Sequence, residues 1–84
     1  MASLQHVPRR STRSKEGVKF GGTVRRFRKE AGLTQETLAE RANLSADFLG
    51  FIERGDNVPT LPTILQLARA LRVQPSKLLK DFDE

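Results

Sequence analysis

A chain of 84 residues has room for one domain and not for two. It carries no Cys and a single imidazole, His6, which excludes a disulfide framework, a thiolate zinc site and any His cluster; no metal or cofactor is expected, and stability must come from packing. No apolar run approaches the ~18 residues of a membrane span and no signal-peptide core follows the basic N-terminus, while a net charge of +5 and a pI near 10.5 make a polyanion the first partner to consider.

The charge is unevenly spread. Residues 1–30 hold nine Lys and Arg against two Glu, whereas residues 31–84 hold six basic against eight acidic side chains. The stretch from Pro8 to Lys15 offers nothing aliphatic or aromatic to bury, so it cannot offset its own ordering entropy. Residues 1–17 are therefore expected to be a disordered basic arm whose Arg9, Arg10, Arg13 and Lys15 either settle on phosphates or serve only as a solubilising tail.

From residue 18 to 84 short amphipathic pieces with clear stops follow one another. Phe20, Val24, Phe27 and Ala31 share one face of a first helix, with Lys19, Arg25, Arg26 and Lys29 on the other and Gly32 as its stop. Thr34 offers a capping hydroxyl for a second helix near 35–42, with Glu36 in its first turn and an apolar stripe of Leu38, Ala39 and Ala42. Asn43 tolerates the left-handed backbone of a sharp helix end, and Ser45 caps a third helix near 46–54 that Gly55 closes. After the turn residues Gly55 to Pro59, Thr60 caps a fourth helix with a buried face of Ile64, Leu65, Leu67, Ala68 and Leu71. Pro75 opens a short fifth helix carrying Leu78, Leu79 and Phe82. No segment alternates with period two, so the expected fold is all-α with five helices.

The unit over residues 35–54 is the informative one. Two helices of about eight residues are joined by Asn43, Leu44 and Ser45 alone, which forces a steep crossing of the helix-turn-helix kind, although an ordinary αα-hairpin would have the same spacing. Ala39 allows close approach, Leu44 plugs the turn, and Leu49 and Ile52 anchor the second helix from behind.

These residues also carry a resemblance. The runs Val24 to Ala42, Leu44-Ser45, Phe48 to Gly55 with Ile52-Glu53-Arg54-Gly55, and Pro59 to Leu71 are similar, in unbroken order over about residues 20–80, to the lambda-repressor/Cro-like (XRE-type) helix-turn-helix DNA-binding domains. The later part looks especially like the small controller proteins of restriction-modification systems, a pattern shared with phage and bacterial regulators. The resemblance implies double-stranded DNA as partner; the missing membrane span and signal peptide lead to the expectation of a cytoplasmic, nucleoid-associated chain, and the lack of Cys, of a second His and of any nucleophile–base pair to that of no enzymatic activity. The resemblance places phosphate contacts at Thr34, Gln35, Arg54 and Asn57, with Arg25 beside them, and a structural ion pair between Arg28 and Glu53. It also implies a homodimer whose two third helices address half-sites one helical turn apart. The surplus apolar surface of Leu78, Leu79 and Phe82 marks the dimer interface expected at the fifth helix.

The recognition helix departs from the family. Ser45, Ala46, Asp47, Gly50 and Phe51 occupy its cap and outward face, and none of them makes a bidentate contact to a purine edge. Asp47 accepting from a cytosine amino group, Ala46 or Phe51 touching a thymine methyl, and Ser45 bonding a phosphate or a base remain, so recognition is expected to lean on DNA shape. Phe48 is expected to pack at the core edge. The competing reading makes the Phe51 face an anchor for a protein partner. No nucleophile–base pair and no small-molecule pocket is visible.

Overall fold

The structure, a computed structural model, describes residues 13–83. Helix α1 runs Lys15–Glu30, α2 Gln35–Ala42, α3 Ala46–Arg54, α4 Leu61–Leu71 and α5 Pro75–Leu78, followed by a 3₁₀ turn at Lys80–Phe82. The described residues contain no strand, and no helix among them is long and apolar enough to cross a membrane.

The first helix begins earlier than its apolar pattern implies. Ser14 adopts extended backbone and its hydroxyl accepts from the Gly17 amide at 2.9 Å, so Lys15, Glu16 and Gly17 belong to α1 and not to the arm. Arg13 lies just outside the helix and pairs with Asp56 at 2.7 Å, while Arg9 and Arg10 lie outside the described residues. Phe20 and Val24 are buried as their spacing predicts, but Ala31 is the exposed C-cap and no part of the buried face.

The second and third helices follow their local signals closely. The Thr34 hydroxyl accepts from the Thr37 amide and the Ser45 hydroxyl from the Phe48 amide, each at 3.0 Å. Asn43 ends α2 in the left-handed region at φ 61°, and Gly55 ends α3 at φ 83°. Gly55 is required twice over, because a Cβ there would also stand 2.7 Å from Val18 Cγ2. The α4 side chain Gln66 closes the other end of α2, donating to the Ala42 carbonyl at 2.8 Å.

Helix α1 crosses α3 at Gly21, where a Cβ would fall 2.1 Å from the Ile52 carbonyl oxygen and 2.7 Å from that of Glu53. This contact sets α3 directly on α1, and α2 and α4 complete the cluster around Leu38, Leu49, Ile52, Leu67 and Leu78.

Three expectations for the last two helices are corrected. Leu65 is exposed, with Leu61 one turn before it, because the inward face of α4 is already filled by Leu67, Ala68 and Leu71. Thr60 sits at the N-cap position without a capping hydrogen bond; its hydroxyl turns to Thr63 Oγ1 at 3.4 Å. Leu78 is 0% exposed and closes the monomer core, and half-buried Phe82 packs against that core beneath Lys19, whose Nζ lies 5.3 Å from the ring centroid. Of the three residues expected at a dimer interface, only Leu79, 39% exposed, remains on the surface.

Candidate nucleic-acid interface

Helix α3 has an anchored side and an open side. Leu49 and Ile52 are fully buried, and half-buried Phe48 packs against the core as expected. At about 100° per residue, Asp47, Gly50, Phe51 and Arg54 fall on one outward stripe. Asp47 is exposed and Phe51 is 46% exposed. Two expected members of that face differ. Ala46 is half-buried against the core cluster, because at about 100° per residue it falls about 60° from the fully buried Leu49. Gly50 is buried, and the atoms nearest the place of its missing Cβ are those of the Arg54 guanidinium, with Nη1 at 3.2 Å. Gly50 thus lies under an arginine and not inside the globule.

The second feature is a polar knot behind the stripe. Arg28 donates through Nε to Glu53 Oε2 at 2.7 Å and through Nη2 to Oε1 at 3.1 Å, and its Nη1 reaches the Leu33 carbonyl at 2.9 Å. Gln35 Nε2 donates to the same Glu53 Oε1 at 3.0 Å. The Arg28 and Glu53 side chains are only 11% and 3% exposed. This bidentate geometry fixes both charges in one orientation, and one carboxylate thereby ties α1, the start of α2 and the end of α3 together. No buried side-chain polar atom among the described residues lacks a partner.

The knot lies at the back of a shallow cleft of about 280 Å³ lined by Arg25, Arg28, Gln35, Glu53 and Arg54. Arg25 is exposed at its edge. At the start of α2 the Thr34 hydroxyl is occupied, accepting from the Thr37 amide and donating to Thr37 Oγ1 at 2.9 Å. What Thr34 leaves available is the pair of first-turn amides of Gln35 and Glu36, which no intrahelical acceptor reaches. Gln35 spends one of its amide protons on Glu53 and keeps another. Asn57 is half-buried in the turn after α3.

Two arrangements in this region are not anticipated by the sequence. Asp56 stands between Arg13, 2.7 Å from its Oδ1, and Arg54, 3.3 Å from its Oδ2. The guanidinium of Arg54 also lies 5.2 Å from the Phe51 ring centroid. The spacing Phe51 to Arg54, three residues along a helix, is the available signal for the second. Nothing local pairs residue 13 with residue 56. Among the described residues no group of His, Asp and Glu is disposed to hold a metal ion.

A short second helix, a three-residue turn and a third helix with one face locked to the body and the other turned out define a helix-turn-helix domain. Residues 19–79 match the family described as "Helix-turn-helix domain", and the chain belongs to it, with the fold of the lambda-repressor/Cro (XRE) type. Its members are DNA-binding transcription regulators. The chain is 41% identical over 64 residues to an HTH-type transcriptional regulator, y4dJ, of Sinorhizobium fredii, covering 76% of this chain and 83% of that one. It is 44% identical over 59 residues to the immunity repressor of Bacillus phage phi105, covering 70% of this chain but only 41% of the repressor. The crystal structure of the restriction-modification controller protein C.AhdI from Aeromonas hydrophila superposes with a TM-score of 0.76 at 42% identity, over 77% of this chain and 98% of that one.

Proposed function

We propose that the chain acts as a homodimeric regulator on a two-fold-symmetric operator, each α3 entering a major groove while phosphates on either side are gripped by the first-turn amides of α2 with Gln35, by Arg25 and by Asn57. The observation that carries this reading is the Arg28–Glu53–Gln35 knot. It holds the anion-attracting start of α2 and the outward stripe of α3 in one rigid relation, which is what a protein needs to meet a groove and its flanking strands at once. With Asp47, Gly50 and Phe51 on the stripe, recognition rests largely on DNA shape, assisted by Phe51 against a thymine methyl and Asp47 against a cytosine amino group.

Salt titration tests the grip. Affinity should fall linearly on a log–log plot with a slope of about 0.9 per phosphate neutralised, and Gln35→Ala should weaken binding to all duplexes alike. Deleting residues 1–12, which leaves the Ser14 cap intact, should flatten the slope if Arg9 and Arg10 touch phosphates. A slope unaffected by the deletion would reduce the arm to a passive tail.

The partner surface is moved from α5 toward α4. Leu61 and Leu65 are exposed one turn apart, a groove runs from Leu65 past Val73 to Pro75, and Leu79 is exposed beyond them. Leu65→Glu should convert a dimer into a monomer in sedimentation equilibrium at micromolar concentration and lower operator affinity at least tenfold. A wild-type chain that stays monomeric at every concentration would remove the dimer from the proposal.

A further inference from the structure

Arg54 occupies a place that a phosphate contact does not require. It lies on the same stripe of α3 as Asp47, Gly50 and Phe51, and helical side chains lean toward the N-terminus of their helix. Its guanidinium accordingly reaches back one turn, across the bare backbone of Gly50, with Nη1 and Nη2 at 3.2 and 3.9 Å from where a Cβ would stand. Two further contacts hold it there. The Phe51 ring supports it at 5.2 Å, and its Nε–H donates to Asp56 Oδ2 at 3.3 Å. Asp56 is itself held on its other oxygen by Arg13 at 2.7 Å. With Nε committed, the end of the fork that remains is the pair of Nη groups. That pair matches the O6 and N7 acceptors on the major-groove edge of guanine.

We propose that Arg54 reads a guanine in each half-site through Nη1 and Nη2, with Gly50 as the gap that admits the guanidinium, and Phe51 and Asp56 as positioning residues. This rests on the DNA-binding reading above, and it departs from the backbone contact that the family pattern assigns to Arg54. It also gives the α3 face the purine-reading donor that residues 46, 47, 50 and 51 lack. Phosphate is the competing ligand, since a guanidinium suits either; the two differ in whether the contact carries sequence information.

The test is selection from a random double-stranded oligonucleotide pool by the full-length wild-type chain, by Arg54→Lys and by Gly50→Ala. The wild-type sequence should contain a fixed G·C pair in each half-site. Arg54→Lys keeps the charge and loses the fork, so that position should become degenerate and affinity for the wild-type site should fall about ten- to hundredfold while the salt slope stays. Gly50→Ala should act in the same direction with no change of charge, its circular dichroism spectrum reporting an intact fold. Replacing the fixed guanine by 7-deazaguanine should weaken the wild type and leave Arg54→Lys unaffected. If Arg54→Lys selects the wild-type sequence and binds all duplexes uniformly more weakly, Arg54 is a phosphate contact and the inference fails alone. If the wild type selects a site without a fixed G·C pair, it likewise fails alone. A wild-type chain with no affinity for any duplex at low salt would overturn the DNA-binding reading and this inference together.

Discussion

Gly21→Ala is expected to lower the melting temperature by about 15 °C. The added methyl would stand 2.1 Å from one backbone carbonyl oxygen of α3 and 2.7 Å from the next, and neither can swing aside as the end of a side chain could. Overpacking a core commonly costs about 1–3 kcal/mol. A clash against backbone belongs at the upper end, and each kcal/mol moves the midpoint of a domain of this size by about 4–8 °C. To relieve the contact α1 and α3 must separate, which also stretches the Arg28–Glu53 pair that spans them. Gly22→Ala is the matched control. A Cβ at Gly22 meets nothing within 4 Å, so the better helix propensity of alanine should act alone and stabilise by about 0.5–1 kcal/mol. Thermal denaturation followed by circular dichroism reads both variants on one scale. Equal midpoints for the two would show that the crossing of α1 and α3 tolerates a side chain, contrary to the geometry.

Glu53→Ala is expected to cost about 3–5 kcal/mol. The loss comes less from the missing ion pair than from what it leaves behind, a guanidinium with an 11% exposed side chain and no counter-charge, and a Gln35 amide without its acceptor. Arg28→Ala should cost a similar amount, since it strands the carboxylate and also frees the Leu33 carbonyl. Replacing both together, as Arg28→Met with Glu53→Leu, should recover much of the stability, because apolar side chains of comparable volume need no compensation for desolvation. The double variant should still bind DNA more weakly than wild type, since the start of α2 is no longer tied to α3. Urea denaturation midpoints with an unchanged m-value, set beside duplex affinity, separate the two effects. A double variant no more stable than either single one would show that the pair's geometry, and not its charge balance, holds the three helices.

Much of the fold was legible because its signals are local. The caps at Thr34 and Ser45 bond an amide three residues on, and Asn43, Gly32 and Gly55 supply left-handed backbone where the helices stop, so α2, α3 and the turn between them could be bounded from neighbouring residues alone. The Arg28–Glu53 pair was available only through the family resemblance, since nothing in composition or spacing joins residues 25 positions apart. Where local signals were incomplete the reading slipped by a turn or a face. No apolar residue precedes Gly17 in α1, so the apolar pattern does not mark Ser14 as a cap, and the apolar stripe of α4 is broad enough to include Leu65, which packing leaves exposed.

The order of the helices, the sharp turns between them and the basic character of the N-terminal third were thus determined by the chain itself, through contacts within a few residues and through charge. Tertiary packing alone decided which apolar residues face out, leaving Leu65 and Leu79 uncovered while sealing Leu78, and it alone revealed that Gly21 is a contact point and Asp56 a bridge between Arg13 and Arg54. The reason is that burial and ion pairing depend on the partner that arrives from elsewhere in the chain. A helix carries its periodicity in its own sequence, but the neighbour that covers a given stripe, or the carboxylate that aims a given arginine, is set only when the helices meet.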